Sequence, residues 1–138
     1  MTYAGDVSPT DAFSILAENP DAVLVDVRTR AELAYVGYPD LSSLGKRLVA
    51  VEWQQFPTGV QNESFLADLA DQGVTSDRPV LFICRSGARS RFAAVAATAN
   101  GFSEAYNVAD GFEGHIDQSG HRGATSGWKA SDLPWRQT

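Results

Sequence analysis

The stretch VLFICRSGARS at residues 80–90 decides both the fold class and the candidate site. Its first four residues are all apolar, which is typical of a strand buried on both faces. Cys84 ends that strand, and a short polar segment with one glycine and two arginines follows it. Residues 92–99 are then almost wholly apolar up to an Asn-Gly pair, which predicts a helix packed against a sheet. The centre of the chain therefore reads as a strand, a cysteine loop and a helix.

Cys84 is the single cysteine of the chain, and its position favours a nucleophilic thiolate over a thiol. Backbone N–H groups of the loop can point at one centre, and a helix N-terminus adds partial positive charge. The neighbouring Arg85 and Arg89 add full positive charges, which also favour an anion here. The alternative is a small buried apolar residue, the usual role of a lone cysteine inside an apolar strand. Because Cys84 lies at the end of the strand, we predict a reactive thiolate.

Strands and helices alternate along the rest of the chain. Apolar periodicity and capping residues predict helices over residues 9–18, 30–35, 64–72 and 92–99, and strands over residues 22–25, 48–51, 80–83 and 105–108. This alternation implies right-handed crossovers and a parallel sheet with helices on both faces. Sites in such sheets form beyond the C-terminal ends of the strands, where Asp26, Cys84 and Asp110 fall. Residues 115–126, rich in Gly, Ser and His, are predicted to form an exposed loop.

Composition argues against several classes of protein. The 138 residues fit one domain, residues 1–138, and a single cysteine cannot form an internal disulfide. Two histidines make a poor zinc site, so we expect no metal and no cofactor. A net charge of −6 argues against nucleic-acid binding, and positive charge at Arg85, Arg89 and Arg91 should attract a small anion locally. No apolar run approaches the roughly 18 residues of a membrane span and no secretory signal is visible, so we expect a cytoplasmic protein with no membrane partner.

The residues resemble those of the single-domain rhodaneses, a family of sulfurtransferases in which a cysteine carries a persulfide. The matching motifs run in the family's order over nearly the whole chain: LVDVR at 24–28, Glu32, CRSGARS at 84–90, NVADG at 107–111, GWK at 127–129 and Leu133-Pro134. Two features depart from the family pattern. Gly37-Tyr38-Pro39 stands where a Gly-His-Ile is usual, and residues 115–126 resemble an insertion near the mouth of the site.

The resemblance implies a three-layer α/β fold with a central five-stranded parallel sheet and helices on both faces. It also implies a thiosulfate sulfurtransferase in which Cys84 is catalytic and takes sulfur from a small anionic donor such as thiosulfate. A protein that donates or accepts sulfur is compatible with the same chemistry. The residues then predicted to bind substrate are Arg85, Ser86, Gly87, Ala88 and Arg89, and those predicted to support the site are Asp26, Arg28, Ser90 and Trp128.

The chemistry of sulfur transfer suggests separate roles for these residues. Backbone N–H groups of residues 85–89 would stabilise the Cys–S–S⁻ anion, and Gly87 would permit the tight curl of the loop. The guanidinium groups of Arg85 and Arg89 would bind the oxygens of the donor, unless they point to solvent or pair with a carboxylate. We expect two supporting groups to act through the fold: the Asp26 and Arg28 pair by holding loops with hydrogen bonds, and Trp128 by packing over the core. His115 and His121 are expected to be solvated loop residues.

Two other functions remain as alternatives. A phosphatase or arsenate reductase of related fold would have its arginine in the seventh position of the cysteine loop, whereas here Arg89 is sixth and Ser90 is seventh. The shorter loop suits a sulfur atom better than a phosphate. A binding module without catalysis is the second alternative, and the intact cysteine loop argues against it. A sulfur carrier or relay uses the same chemistry as the transferase and is not distinguished from it by sequence.

Overall fold

The computed structural model describes residues 2–137. In this part of the chain the strands are β1 (Gly5–Val7), β2 (Val23–Asp26), β3 (Tyr38–Pro39), β4 (Val49–Ala50), β5 (Val80–Ile83), β6 (Ala105–Val108) and β7 (Trp135–Arg136). The α-helices are α1 (Pro9–Glu18), α2 (Arg30–Val36), α3 (Phe65–Asp71) and α4 (Ala88–Ala99), and Ser42–Leu44 form a 3₁₀ turn. Five strands make a parallel sheet in the order β1-β6-β5-β2-β4, and β3 pairs with β7 in an antiparallel sheet. The predicted five-stranded parallel sheet is confirmed.

Both faces of the parallel sheet are covered, because successive residues of each strand point to opposite sides. Phe82 and its neighbours on one face pack against α3 and α4, through residues such as Leu69 and Ala94. Leu81 lies on the other face, where Leu16 of α1 contributes to a second buried cluster. Full burial of one such side chain contributes about 1.5–3 kcal/mol, so the two clusters hold the three layers together.

Helices α1 and α2 begin where the sequence predicts, because each has a side chain that caps its first turn. Ser8 Oγ accepts a hydrogen bond from the N–H of Asp11 at 3.0 Å, and Pro9 occupies the first helical position. Thr29 and Glu32 form a capping box, in which each side chain accepts from the backbone N–H of the other residue. The capping box places Glu32 at the C-terminal edge of the sheet.

Beyond small shifts at the ends of other elements, the structure differs from the sequence-based expectations at β1, at α4 and at the β3–β7 sheet. Strand β1 was not predicted, and α4 begins at Ala88, four residues before the predicted start. Within the stretch 92–99, the alanines at 93, 94 and 97 are buried as expected, but Phe92 is 55% exposed. The β3–β7 sheet was not predicted either. Gly37 precedes it with φ of 104°, and a Cβ there would lie 2.7 Å from the backbone oxygen of Arg136, so this position requires glycine.

No helix formed by residues 2–137 is long and apolar enough to cross a membrane.

Candidate active site

Cys84 lies directly after β5 and is almost fully buried, with 1% of its surface exposed. The backbone N–H of Gly87 donates to Cys84 Sγ at 3.1 Å, and Ser90 Oγ lies 3.2 Å from the same sulfur. Gly87 has φ of 112° and directly precedes α4, so the loop turns into the helix without the strain that a Cβ would cause. The thiol therefore lies at the N-terminal end of α4, where the helix carries partial positive charge.

Several N–H groups of residues 85–89 were expected to converge on the sulfur. In the part of the chain that the structure describes, the Gly87 N–H is the backbone donor that reaches Sγ. The N–H groups of Ala88, Arg89 and Ser90 lie in the first turn of α4, and N–H groups at this position have no backbone acceptor within the helix. The predicted role of the Ala88 and Arg89 N–H groups, to stabilise a further atom bound to the sulfur, stays a prediction.

The segment after β6 fixes the cysteine loop from its outer side. The N–H of Phe112 donates to the carbonyl of Cys84 at 2.8 Å, and the N–H of Glu113 donates to the carbonyl of Arg85 at 2.9 Å. Gly111, with φ of 61°, comes so close to the backbone of the cysteine loop that a Cβ there would lie 2.5 Å from the Cys84 carbonyl oxygen. This glycine is therefore needed both for its backbone conformation and for the close approach of the two segments.

Arg89 pairs with Glu32 of α2. Its Nη1 and Nη2 donate to the two carboxylate oxygens at 2.7 and 2.9 Å, which is a bidentate ion pair. Burial alone would raise the pKa of Glu32, but hydrogen bonds from Arg89 and from the Thr29 backbone, with the charge of Arg89, lower this pKa to about 2. The alternative weighed for Arg89, pairing with a carboxylate, is thus present in the structure. Its predicted contact with a donor stays a prediction.

The Glu32 pair should make stability depend on pH in a defined window. The pKa of Glu32 is about 2 in the folded state, against about 4.3 in an unfolded chain. Its contribution is therefore fully present above about pH 4.3 and is lost as the pH falls towards 2. Glu32→Gln should lower the free energy of unfolding by about 1–2 kcal/mol at pH 6, allowing for solvent screening of this pair, and by less at pH 3.

Urea unfolding of the parent and of Glu32→Gln at the two pH values measures this difference. Glu18→Gln, at an exposed position on α1, is the matched control and should give the same small change at both. An equal loss of stability for Glu32→Gln at pH 6 and pH 3 would contradict the assignment.

Asp26 and Arg28 form a fully buried ion pair at the end of β2. Arg28 Nε donates to Asp26 Oδ1 at 2.9 Å and Nη2 donates to Oδ2 at 2.7 Å. Nη2 also donates to the carbonyl of Gly37 at 2.9 Å, and the guanidinium lies over the ring of Phe112 at 4.4 Å. The pair thus connects the end of β2, the end of α2 and the segment that supports the cysteine loop. These are the loop-holding contacts that the sequence predicts.

The remaining predicted residues fall into two groups. Arg85 and Ala88 are exposed and Ser86 is half-buried, so the loop presents one charge and two small side chains at the surface. Trp128 is fully buried, makes an edge contact with Phe13 and donates its Nε1–H to the carbonyl of Pro134 at 2.7 Å. Trp128 packs in the core as expected, and the donor-binding roles of the loop residues stay predictions.

The structure also connects Ser90, a predicted supporting residue, with polar residues that sequence reasoning did not assign to the site. Ser90 Oγ lies 2.5 Å from Asn107 Oδ1, and Asn107 Nδ2 donates to Asp6 Oδ1 at 3.0 Å. His115, 66% exposed, is not simply solvated, because its Nε2 lies 2.7 Å from Asp110 Oδ1. Asn107 and Asp110 were visible in the motif NVADG, but nothing in the sequence linked Asp6 or His115 to the cysteine.

A family model described as STR4 middle domain matches residues 4–138. Over 132 residues the chain is 33% identical to the protein THYLAKOID RHODANESE-LIKE, chloroplastic, of Oryza sativa subsp. indica, a match that covers 95% of this chain and 25% of that one. The chain belongs to the rhodanese-like family. The rhodanese-like domain is also 31% identical over 96 residues to a sulfurtransferase of Allochromatium vinosum, covering 70% of this chain and 73% of the relative.

Two solved structures and a further relative extend the comparison. The crystal structure of Rv0390 from M. tuberculosis has a TM-score of 0.89 and 55% identity, over 99% of both chains. The polysulfide-sulfur transferase homodimer from Wolinella succinogenes has a TM-score of 0.63 and 28% identity, over 96% of this rhodanese-like domain and 78% of that chain. An uncharacterized protein of Rickettsia rickettsii is 37% identical over 131 residues, covering 95% of this chain and 96% of that one. The rhodanese-like domain thus has sulfurtransferases among its relatives.

Proposed function

We propose that this rhodanese-like domain is a sulfurtransferase that carries a sulfane sulfur as a persulfide on Cys84. The observation that supports this most directly is the 3.1 Å hydrogen bond from the Gly87 N–H to Cys84 Sγ, at the open N-terminal turn of α4. A sulfur anion in this position receives a backbone hydrogen bond and the favourable end of the helix dipole. The sulfurtransferase relatives are consistent with the same chemistry.

The proposed reaction has two nucleophilic steps at sulfur. The Cys84 thiolate attacks the outer sulfur of thiosulfate, a new S–S bond forms, and sulfite leaves with the electrons of the old S–S bond. A nucleophile such as cyanide then attacks the outer sulfur of the persulfide, and the Cys84 thiolate leaves. Between the steps, we expect the N–H groups of Ala88 and Arg89, in the first turn of α4, to stabilise the outer sulfur anion.

Thiosulfate and polysulfide are both anions with a transferable sulfur, and we propose a small donor of this class. The Wolinella succinogenes relative is named a polysulfide-sulfur transferase, so polysulfide stands beside thiosulfate as a candidate. The test is the intact mass after incubation with each donor, followed by gel filtration. A gain of one sulfur atom, about 32 Da, that cyanide removes as thiocyanate supports the proposal. A folded protein that gains no sulfur from either donor would rule out a small donor of this class.

Phosphatase activity measured in the same samples tests the phosphatase alternative. Arg89 occupies the sixth position of the cysteine loop, so the loop offers fewer converging donors than a phosphate needs. We expect no hydrolysis of p-nitrophenyl phosphate by a preparation that transfers sulfur. Phosphate release that depends on Cys84, without any sulfur transfer, would replace the proposal with the phosphatase.

Arg85 offers the cleaner test of donor binding, because its side chain is exposed whereas Arg89 is held by Glu32. Loss of a charged hydrogen bond to an anion weakens binding strongly, so Arg85→Ala should lower kcat/KM for thiosulfate by roughly ten- to a hundredfold. Its thermal unfolding should not change. Arg47→Ala, at an exposed arginine before β4, is the matched control and should keep the parental value. If both variants lose activity equally, the effect is one of overall charge and Arg85 does not bind the donor.

A further inference from the structure

Asp6, Asn107, Ser90 and Cys84 form an unbroken line of polar contacts from the protein surface to the thiol. Asp6 and Asn107 are register partners in the parallel pair β1–β6, so their side chains stand on the same side of the sheet. Asn107 Nδ2 donates to Asp6 Oδ1 at 3.0 Å, and Asn107 Oδ1 lies 2.5 Å from Ser90 Oγ. Ser90 Oγ lies 3.2 Å from Cys84 Sγ. Ser90 is fully buried and Asn107 is nearly so.

The hydrogen-bonding capacity of each group gives this line a direction. A carboxylate only accepts, so Asp6 requires the NH₂ group of Asn107 to face it. The carbonyl oxygen of the same amide must then face Ser90. Because that oxygen also only accepts, the single hydroxyl proton of Ser90 is drawn towards Asn107 and away from the sulfur. A Cys84 thiol fits this arrangement, since its S–H can donate to the free lone pair of Ser90 Oγ.

A Cys84 thiolate fits the arrangement less well. The sulfur anion keeps the hydrogen bond from the Gly87 N–H, but it gains the Ser90 hydroxyl only if that proton leaves Asn107. If the Asn107 amide could reverse, its NH₂ group would donate to Ser90 Oγ and the Ser90 proton would turn to the sulfur. Asp6 opposes that reversal.

We infer that Asp6 is a positioning residue that restrains ionisation of Cys84 through the orientation of Asn107 and Ser90. The inference rests on the proposed function only for its meaning in catalysis, where Asp6 would limit the fraction of Cys84 that is ready to attack a donor. Other charged groups also face this region. They include the Arg89–Glu32 and Asp26–Arg28 pairs. Arg91 and the Asp110–His115 pair line, together with Asp6, a surface cavity of about 270 Å³. None of these groups hydrogen-bonds to Asn107 or Ser90 within residues 2–137, so Asp6 alone acts through the line.

Alkylation by iodoacetamide tests the inference, because Cys84 is the single cysteine and one adduct reports on it alone. Asp6→Ala removes the acceptor that holds the Asn107 amide, and because Asp6 is exposed we expect the variant to fold. The second-order rate constant at pH 7 should rise roughly three- to tenfold, because a larger thiolate fraction outweighs its lower intrinsic nucleophilicity. Asp6→Val, which favours the strand, should give the same rise. Tyr3→Phe is the matched control: it removes the 2.8 Å hydrogen bond from Tyr3 to Asp6 Oδ1 but leaves Asp6 in place, and should keep the parental rate.

The double variant with Ser90→Ala separates an effect of orientation from an effect of charge. If Asp6 acts through the Ser90 hydroxyl, Asp6→Ala should change the alkylation rate less than about 1.5-fold in the Ser90→Ala background, a strong departure from additivity. An undiminished rise in that background would show that only the lost negative charge matters and would overturn the inference. Unchanged rates in Asp6→Ala and Asp6→Val would overturn it as well. Alkylation needs no sulfur donor, so the result stands whether or not the persulfide forms.

Discussion

Cys84→Ser is expected to abolish sulfur transfer while leaving the domain folded. The serine hydroxyl occupies nearly the same space and can accept the Gly87 hydrogen bond, but it does not form the reactive anion that attacks a sulfane sulfur. The chain has no other cysteine that could take over the role. Thiocyanate formation from thiosulfate and cyanide should fall to the background rate, and the intact mass should gain no sulfur from either donor.

The comparison variant is Ser14→Ala, which removes an exposed hydroxyl on α1 and keeps the thiol. It should retain the mass gain and most of the turnover. Circular dichroism and the unfolding midpoint should match the parent for both variants. Thiocyanate formation by folded Cys84→Ser at the parental rate would refute the persulfide on Cys84.

Arg28→Leu should have the largest effect on stability. The substitution leaves the carboxylate of Asp26 buried without its partner and removes the hydrogen bond to the Gly37 carbonyl. Removing one member of a buried ion pair costs about 3–5 kcal/mol, a large part of the stability of a domain of this size. Urea unfolding should show this loss as a lower midpoint with little change in slope.

The double variant Asp26→Leu with Arg28→Leu tests the reason for that loss. Two apolar side chains leave no unpaired charge, so the double variant should recover part of the stability lost in Arg28→Leu. A double variant less stable than Arg28→Leu would show that the hydrogen bonds and the packing on Phe112 matter more than the pairing of charges. A loss below about 1 kcal/mol in Arg28→Leu itself would contradict the structural role of the pair.

The parts of the fold that sequence predicted were those with strong local signals. α1 has Ser8 and Pro9 at its start, and β5 is a run of four apolar residues, so both were placed correctly. β1 has three residues, including a glycine and an aspartate, and carries no periodic apolar signal. The early start of α4 was missed because its cap is Gly87 at positive φ, with no side-chain hydrogen bond to mark it. The β3–β7 sheet joins segments almost a hundred residues apart, a pairing that no local pattern contains.

The candidate site divides in the same way. Cys84 and its loop could be found from sequence because strand, loop and helix follow one another directly. The partners of the loop could not, since they come from distant segments. Arg89 meets Glu32 across 57 residues, and Asn107 meets Asp6 across 101. Such pairs depend on strand order, which places β6 between β1 and β5.

The loop at residues 115–126 is closed at its base. Gly114 approaches Ser126 so tightly that a Cβ would lie 2.2 Å from the Ser126 carbonyl oxygen, and the N–H of His115 donates to Ser126 Oγ at 3.0 Å. The entropy of closing such a loop changes slowly with its length. Evolution, or a protein engineer, can therefore lengthen, shorten or rewrite the tip of this loop without moving the residues that hold the cysteine. The base of the loop is therefore a point at which insertions and deletions should cost little stability, while the hydrogen bonds from Phe112 and Glu113 to the cysteine loop stay in place.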